Sequence, residues 1–363
     1  MLMSGRMFRG RKVWSVLMAL SMISGVGLSV PARALPVGFN QAWFKNHYGT
    51  QYLDEAFDPA EVRRLFRLAK SAGADQIRLW FFETTNYPML NWSADGHLTG
   101  IREDYIRNVV RMLSIARENG IRVYMTLLDP QVYRPDRRNQ DHSRFKWILS
   151  RTGGREFLES ALAPLLKSIH ESGLADRISR IDLANEMDAA VNRFAFEGGW
   201  NGASRFLCQW RAFIHSSPGF ETTPVSASLR LHPLLWLPGS IFDSQGSMAC
   251  SDFLDFHSYS DSGKIYRCGE ILAYSKRSRK PVILGEFGQA YFTRRYSDDL
   301  QVRNTRNYIA SANACGFKEA LAWRLSDIRE GENPEARYSF EAFGTIRPAF
   351  ELIREENARA SRP

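Results

Sequence analysis

Two glutamates follow short apolar runs that lie one hundred residues apart in the sequence. The run that begins at Val282 leads to Glu286, and the run that begins at Ile181 leads to Asn185 and Glu186. Apolar runs of this length predict buried parallel strands, and the ends of such strands meet at one rim of a sheet. Two carboxyl groups at one rim can supply a nucleophile and a proton donor, which cleavage of a glycosidic bond requires. Taken singly, each glutamate could instead be a solvated charge or a neighbour of a helix cap.

Polar and aromatic residues also end most of the other predicted strands. They are Asn40, Arg78, Trp80, Phe82, Asp129, His257, Tyr259, Trp323 and, behind Trp323, Asp327. A purely structural rim would not need this ring of side chains. Even so, Arg78 could be a buried counter-ion for any acid, and His257 could equally be a packing residue. For Asn40 and Asp129, a role in the site and a role in the scaffold are equally compatible with the sequence.

Further aromatic residues could line flanking subsites or simply anchor the core and loops. They are Trp80, Trp92, Tyr133, Trp200, Trp236 and Tyr291. Aromatic faces stack on the C–H faces of sugar rings, so any of these side chains could extend a sugar-binding cleft. We favour Trp80 and Trp200 for this role.

An alternation of strand and helix patterns positions these residues. The predicted strands are Val37–Asn40, Gln76–Phe82, Ile121–Leu128, Ile178–Ala184, Thr223–Ser228, Phe253–Phe256, Pro281–Gly285 and Ala320–Arg324. The predicted helices are Pro59–Ser71, Arg102–Asn119, Gly154–Ser172, Ser204–His215, Ile265–Lys276, Asp298–Ala314 and Pro348–Glu356. Eight predicted strands, each except the fifth followed by a predicted helix, predict a single (β/α)8 barrel, in which active sites form at the carboxyl ends of the strands. A doubly wound open sheet is the alternative, but no glycine-rich phosphate loop follows the first strand.

The first 34 residues have the pattern of a secretory signal peptide. A basic region precedes an apolar stretch from Val13 to Val30, and Ala32-Arg33-Ala34 is an A-x-A cleavage site. We therefore expect cleavage after Ala34, one catalytic domain over residues 35–363, and a secreted or periplasmic location. Serine and glycine dilute the apolar stretch, so a membrane anchor is the less favoured alternative.

Composition argues against several classes of function. The chain of 363 residues has a formal net charge of +9, but five basic residues lie in the predicted signal peptide, which leaves +4 for the mature chain. The remaining basic residues are not clustered, so nucleic acid is not an expected partner. The four cysteines could form disulfides in any of three pairings or stay free and buried. They are Cys208, Cys250, Cys268 and Cys315, and no C-x-x-C spacing among them suggests a metal.

Several of these motifs resemble clan A glycoside hydrolases, and most closely family 5, the cellulase and mannanase group. The matching residues are Asn185-Glu186 after the fourth strand, His257-Ser-Tyr259 after the sixth, Glu286 at the end of the seventh and Trp323 at the end of the eighth. The segment from Gly73 to Phe82 resembles the G-x-x-x-x-R-x-W-x-F string of the endo-β-mannanase branch, and the segment from Lys280 to Gly288 resembles its seventh strand. The resemblance covers essentially the whole predicted mature chain. One departure is Asp129, because many family members carry a histidine at the end of the third strand.

The resemblance implies a role for each matched residue. Glu286 would be the nucleophile and Glu186 the acid/base of a retaining enzyme, with the two carboxyl groups about 5–5.5 Å apart. Arg78 and Tyr259 would keep Glu286 ionised, whereas apolar surroundings and the charge of Glu286 would raise the pKa of Glu186. The other predicted substrate contacts are Asn185 at the sugar 2-hydroxyl, Trp323 under the reacting sugar, and His257, Asn40, Trp80 and Trp200. No metal or organic cofactor is implied.

The function predicted from the sequence is hydrolysis of a β-linked polysaccharide of the mannan or glucan type by double displacement. The expected partner is a polysaccharide or oligosaccharide; after signal cleavage we expect no stable membrane span and a monomer. A non-catalytic carbohydrate-binding barrel is one alternative, and a clan A hydrolase or transglycosidase that acts on an exopolysaccharide is another. The signal peptide and the lack of a lysine at a strand end disfavour an isomerase or aldolase barrel.

Overall fold

The computed structural model describes the chain in ten stretches. They are residues 34–44, 47–82, 89–129, 142–192, 196–231, 248–260, 262–289, 297–326, 338–342 and 344–362. All of them belong to one compact unit, Arg33–Pro363. The predicted signal peptide lies outside the described residues apart from Ala34, and its cleavage stays a prediction.

Eight parallel strands form the barrel and follow one another around it in chain order. They are β1 (Val37–Asn40), β2 (Gln76–Phe82), β3 (Arg122–Leu128), β4 (Ile178–Ala184), β5 (Val225–Ser226 and Ser228–Arg230), β6 (Leu254–Tyr259), β7 (Val282–Gly288) and β8 (Ala320–Ala322). The first segment of β5 pairs with β4 and the second pairs with β6, so the ring closes across a strand that is interrupted at Ala227. The single (β/α)8 barrel predicted from the sequence is confirmed.

Helices surround the strands. The longer ones are α1 (Pro59–Ser71), α2 (Glu103–Glu118), α3 (Arg151–Phe157 continued by a π-helical turn, Leu158–Leu162, and by Ala163–Glu171), α4 (Gly199–His215), α5 (Cys268–Ser278), α6 (Asp298–Ala314) and α7 (Pro348–Ala360). Shorter helical segments are Gly49–Leu53, His142–Ile148, Ala175–Arg177 and Met187–Asn192. Three small antiparallel pairs are Trp43–Phe44 with His47–Tyr48, Leu90–Trp92 with Leu98–Ile101, and Glu341–Ala342 with Thr345–Ile346.

Helix α1 shows how the sequence specifies these outer elements. The Asp58 side chain accepts hydrogen bonds from the N–H groups of Ala60 and Glu61 at 2.9 and 3.3 Å, and Pro59 occupies the first turn. This cap satisfies donors that the helix itself leaves unpaired. Each large side chain on the buried face contributes about 1.5–3 kcal/mol by leaving water. The buried residues of α1 are Val62, Leu65, Phe66 and Ala69.

Asn357 joins the last helix to the first strand. Its Oδ1 accepts from the N–H of Val37 at 2.8 Å, and its Nδ2 donates to the carbonyls of Val37 and Ala72, both at 2.9 Å. These backbone groups are buried and would otherwise lack partners. One amide on α7 therefore connects the end of the described chain to β1.

Two disulfides cross-link the outer layer. One joins Cys208 in α4 to Cys250, and the other joins Cys268 at the start of α5 to Cys315 after α6. The structure thus selects one of the three pairings and excludes the alternative of free cysteines. Within the described stretches, no helix is long and apolar enough to cross a bilayer.

Several strand boundaries differ from the sequence expectation. β7 continues to Gly288, so Glu286 lies within the strand, and β6 continues through His257 to Tyr259. The predicted strands ended just before His257 and just before Glu286, yet backbone pairing does not depend on side-chain polarity. His257 and Glu286 are partners in the register of these two strands. The expected continuous fifth strand is instead broken at Ala227.

Candidate active site

Glu186 and Glu286 face each other at the carboxyl ends of β4 and β7. One carboxylate oxygen of each and a ring nitrogen of His257 all lie within 4.8 Å of one another. The three side chains are almost wholly buried. Carboxyl groups about 5–5.5 Å apart are typical of retaining glycosidases, whereas inverting enzymes need about 6.5–9.5 Å to admit a water. The pair is therefore close enough for one carboxyl to attack a sugar while the other protonates its leaving group.

Two donors hold the Glu286 carboxylate. Arg78 Nη1 donates to Oε1 at 2.5 Å, and the Tyr259 hydroxyl donates to Oε2 at 2.5 Å. Burial raises the pKa of Glu286 well above its usual value, the charge of Arg78 opposes that rise, and the charge of Glu186 adds to it. Because two carboxyl groups this close resist ionising together, the pair holds one proton over a range of pH.

Arg78 on β2 lies inside the barrel and pairs with two carboxylates. Its Nη2 donates to Asp182 at 2.6 Å and to Asn185 at 2.8 Å, and Nη1 also donates to Asn40 at 3.2 Å. Burial alone would lower the pKa of Arg78, but the charges of Asp182 and Glu286 raise it well above its usual value. The guanidinium therefore stays charged and fixes side chains from three neighbouring parts of the rim.

The backbone turns sharply at Glu186 as β4 ends. Its φ of 50° lies in the left-handed region, which is uncommon outside glycine and is often found at functional sites. The Glu186 N–H donates to the Ser228 hydroxyl at 2.9 Å, and that hydroxyl donates to Asp182 at 3.0 Å. Arg230 Nε lies 3.6 Å from Glu186 Oε2 and donates to the buried Asp188 at 2.9 Å. Side chains of β4 and β5 thus hold Glu186 in a conformation that its own backbone would not favour.

His257 lies between the two glutamates. Its Nδ1 is 3.3 Å from Glu186 Oε1 and 3.4 Å from Glu286 Oε2. Burial lowers the pKa of His257 well below its usual value, and the charge of Arg78 lowers it further. The ring is therefore neutral, and its Nε2 points back into the barrel, 3.8 Å from Asp255 Oδ1.

Aromatic rings form a floor next to the carboxylates. Trp323, which follows β8 and is 9% exposed, packs edge-to-face against Trp80 at 5.6 Å and Trp43 at 5.7 Å. The peptide bond between Trp323 and Arg324 is cis. Trp80 is only 1% exposed and lies against the Arg78 guanidinium at 4.3 Å. Trp323 is therefore the more exposed of the two rings, and Trp80 packs against it from the inside of the barrel.

The two predicted asparagines have different surroundings. Asn40 is fully buried, and its Nδ2 donates to the Gly285 carbonyl at 2.9 Å while its Oδ1 accepts from Arg78. Both ends of this amide serve the scaffold, so its predicted contact with substrate is not favoured by the geometry. Asn185 lies at the rim and donates to Asp129 Oδ1 at 3.2 Å. Its second amide hydrogen leaves it able to contact a sugar.

The predicted flanking aromatics are less closely tied to the site. Trp92 and Trp200 are both partly buried and pack against the main hydrophobic core, Trp200 in the first turn of α4. A role for either in a flanking subsite stays a prediction. Four other predicted residues lie outside the described stretches: Tyr133, Trp236, Tyr291 and Asp327.

Several residues around the site were not singled out from the sequence. They are Tyr124, Asp182, Asp188, Ser228, Arg230 and Asp255. For two of them a signal was present, because Asp182 and Asp255 are acids within otherwise apolar strand segments. An acid that is buried needs a charged or hydrogen-bonding partner, and Arg78 fills that need for Asp182.

The cluster of Glu186, His257 and Glu286 also has the ligand types that a metal ion needs. Glu186, His257 and Glu286 present ligand atoms close enough together. However, the Arg78 guanidinium donates directly to Glu286, and Arg230 lies beside Glu186. Two fixed cations already lie beside these carboxylates, and their repulsion of a divalent ion weakens its attraction to the cluster. We therefore interpret this cluster as acid–base machinery.

Comparison with known proteins gives similarity at the level of solved structures. No protein-family model and no curated protein matches the chain. An exo-β-1,4-mannosidase from Opitutaceae bacterium strain TAV5 has 17% identity and a TM-score of 0.62 over 91% of this chain and 61% of its own. A GH5_18 variant from Streptomyces cattleya in complex with Manβ1-4GlcNAc has 14% identity and a TM-score of 0.66, over 91% and 82%. An endo-1,4-β-mannanase from Eisenia fetida has 15% identity and a TM-score of 0.60, over 92% of each chain.

These similarities concern the fold. The present chain spans less than two thirds of the length of the Opitutaceae mannosidase. At identities of 14–17% the shared feature is the (β/α)8 barrel, a fold that supports many different functions.

Proposed function

We propose that this protein is a retaining β-glycoside hydrolase of the clan A, family 5 type. Glu286 is the nucleophile and Glu186 is the acid/base. The observation that carries the proposal is the close approach of the two carboxylates, within 4.8 Å, with Arg78 and Tyr259 both donating to Glu286. These donors make two similar acids unequal, since they stabilise the ionised form of Glu286. We assign the proton of the pair to Glu186, because the Arg78 guanidinium donates to Glu286 at 2.5 Å whereas Arg230 lies 3.6 Å from Glu186.

In the first step the reacting sugar rests on Trp323. A Glu286 oxygen attacks the anomeric carbon while Glu186 gives its proton to the departing glycosidic oxygen. A covalent glycosyl-enzyme forms, and the bond to the leaving sugar breaks. Asn185, held by Arg78, presents its remaining amide hydrogen towards the sugar hydroxyls.

In the second step Glu186 acts as a base. Once Glu286 is esterified it no longer carries a negative charge, so the repulsion that favoured protonated Glu186 disappears. Ionised Glu186 removes a proton from water, and the resulting hydroxide oxygen attacks the anomeric carbon. Glu286 leaves as a carboxylate, and the configuration at that carbon is retained.

The proposed substrate is a β-linked polysaccharide or oligosaccharide of the mannan or glucan type. The aromatic floor suits the C–H face of a pyranose ring, and the structural relatives named above are described as mannosidases and mannanases. We also propose secretion or periplasmic export through the N-terminal segment. The two disulfides support an oxidising compartment. A monomeric state stays a prediction.

Covalent labelling tests the proposal directly. The protein is incubated with 2-deoxy-2-fluoro-β-mannosides and β-glucosides that carry an activated leaving group, digested and analysed by mass spectrometry. We expect one label, on Glu286, and none in Glu286→Gln. A panel of β-linked polysaccharides followed by NMR should give products with retained configuration. A label on another residue, or an inverted product, would show that the roles are wrong.

Kinetics of three variants separate the two glutamates. Glu286→Ala should remove turnover while leaving the fold intact. Glu186→Ala should slow substrates with poor leaving groups most, and azide should partly restore turnover of activated substrates. Glu356→Gln is the matched control, because Glu356 is a buried glutamate on α7 and should keep near-normal rates. Near-normal turnover by Glu286→Ala would contradict the assignment.

A further inference from the structure

Two buried polar atoms behind the candidate site face each other. Neither His257 Nε2 nor Asp255 Oδ1 makes a hydrogen bond within the described part of the protein, and 3.8 Å separates them. Both side chains are fully buried. A buried carboxylate oxygen and a buried ring nitrogen are costly to leave without partners. One proton shared between His257 Nε2 and Asp255 Oδ1, and carried by either the ring or the acid, would give each atom a partner.

We propose that Asp255 is a positioning residue that decides which nitrogen of His257 carries the proton, and that it acts on Glu186 through this ring. The proposal rests on the acid/base role proposed for Glu186. Its geometric basis is a continuous line of polar atoms across one imidazole. Asp255 lies against Nε2, and Nδ1 on the other side of the ring lies 3.3 Å from Glu186 Oε1.

The position of Asp255 is fixed by the strands around it. The Tyr124 hydroxyl donates to its Oδ2 at 2.5 Å, which leaves Oδ1 directed at the ring. Gly285 on β7 has no side chain here, and a Cβ at that position would lie within 3.0 Å of both Asp255 carboxylate oxygens. The residue directly before Glu286 is therefore a glycine because the Asp255 carboxylate occupies the space.

Asp255 is also able to change its charge near neutral pH. Burial raises the pKa of Asp255 to about 7, and the charge of Arg78 opposes the rise. The titratable and charged groups that face it are Arg78 from β2, Tyr124 from β3, Arg180 and Asp182 from β4, and His257 from β6. Of these, Arg78 and Arg180 are cations that favour its ionised form, and Asp182 disfavours it.

With Asp255 ionised, the ring proton resides on Nε2 and points at Oδ1. Nδ1 then has a lone pair, which can accept the O–H of protonated Glu186. This arrangement stabilises the acid form that must protonate the leaving group.

With Asp255 protonated, the relay is reversed. The Nε2–H bond breaks and an O–H forms on Asp255, while the O–H of Glu186 breaks and an N–H forms at Nδ1. One proton has moved from Glu186 to Asp255, the ring stays neutral, and total charge is unchanged. Nδ1–H now donates to a carboxylate and stabilises ionised Glu186. Asp255 and Glu186 thus compete for one proton across His257.

The tautomer of His257 can be measured without substrate. Long-range ¹H–¹⁵N NMR spectra of protein labelled at histidine distinguish Nδ1–H from Nε2–H, and His257→Asn identifies the signal. At a pH about one to two units above the pKa of Asp255 we expect Nε2–H in the wild type. In Asp255→Asn we expect Nδ1–H, because the Tyr124 hydroxyl takes the amide oxygen and the amide N–H donates to Nε2. Asp252→Asn, just before β6, is the control and should leave the tautomer unchanged.

Kinetics supply a second readout. In Asp255→Asn the Nδ1–H stabilises ionised Glu186, so the basic limb of kcat/KM should move to lower pH by about one unit. The loss should be larger for poor leaving groups than for activated ones. A uniform loss with an unshifted pH profile would overturn the proposal, as would an unchanged tautomer.

A further variant, Tyr124→Phe, provides an independent test if Asp255→Asn does not fold. Tyr124→Phe keeps the carboxylate but removes a hydrogen bond that lowers the pKa of Asp255. At a fixed pH the fraction of His257 in the Nδ1–H form should therefore rise, and an unchanged fraction would overturn the proposal. Because these spectra need no turnover, a protein that hydrolyses no β-glycoside would refute the proposed function while the dependence of the tautomer on Asp255 would still be measured.

Discussion

Replacing Arg78 by methionine tests whether buried charge pairing maintains the centre of this barrel. The guanidinium makes hydrogen bonds to Glu286 and Asp182 at 2.5 and 2.6 Å, and both contacts are wholly buried. It also donates to the amide oxygens of Asn185 and Asn40. Methionine keeps most of the volume and removes every one of these donors, so packing changes little and electrostatics change greatly.

We expect Arg78→Met to lower the free energy of unfolding by about 3–5 kcal/mol near pH 8, because removal of one partner leaves buried charges uncompensated. The variant can relieve part of this cost by protonating Glu286 in the folded state, because loss of the Arg78 charge raises the folded-state pKa of Glu286 further. That pKa then exceeds the unfolded value of about 4. A carboxyl group of this kind destabilises above its unfolded pKa, so the deficit should shrink as pH falls from 8 towards about 4.

Urea unfolding at about pH 8 and about pH 5, followed by tryptophan fluorescence and circular dichroism, measures both values. Arg63→Met is the control, because Arg63 forms a partly exposed ion pair with Glu118 at 3.0 Å and should cost less than about 1 kcal/mol. Adding Asp182→Asn to Arg78→Met should recover stability near pH 8, since it removes one uncompensated charge. A loss below about 1 kcal/mol, or an equal loss at both pH values, would refute the reasoning.

Three further outcomes follow from the same geometry. Gly285→Ala forces a Cβ against the Asp255 carboxylate and should lower stability by about 1–3 kcal/mol, measured by urea unfolding. Tyr259→Phe removes a donor that lowers the pKa of the nucleophile, so the acidic limb of the kcat/KM profile should move to higher pH and kcat/KM should fall about tenfold. Replacing both Cys208 and Cys250 by serine opens a cross-link between residues 42 apart in sequence and should cost about 4 kcal/mol in urea unfolding.

Each of these outcomes has a control or a contradicting result. Gly269→Ala, where a Cβ meets no atom within 4 Å, should be neutral or mildly stabilising, and an equal loss at both glycines would remove the steric explanation. For Tyr259→Phe, a fall in kcat/KM without movement of the acidic limb would mean that the hydroxyl contacts substrate only. For the disulfide, unchanged urea midpoints under reducing and oxidising conditions would show that the cross-link adds nothing to stability.

The barrel was predictable because its signals are local. Apolar strands, amphipathic helices and caps such as Asp58 occupy a few consecutive residues, and their order alone implies eight β-then-α units. The two catalytic candidates were predictable for the same reason, since each glutamate lies at the carboxyl side of an apolar run. Strand ends were less predictable, because polar residues such as His257 stay in backbone register with their neighbours.

The hydrogen-bond network around the two glutamates could not be predicted from such local signals. Asp255 looks like a polar interruption of an apolar strand until Gly285 and Tyr124 are found against it from two other strands. Asn40 looked as suitable for substrate as for scaffold, and only its contacts with Gly285 and Arg78 favour the scaffold. The cysteine pairing was also open, since spacing cannot choose among three connectivities.

The sequence by itself determined the order of the elements and the two acids at the carboxyl ends of the fourth and seventh strands. These depend on hydrophobic period and residue type, which short segments express without their neighbours. The tertiary structure decided which charges are buried, which acid receives Arg78 and Tyr259, and what lies behind His257. A carboxyl group acquires its proton affinity from the solvent it loses and the partners it gains, and here those partners come from strands far apart in the chain.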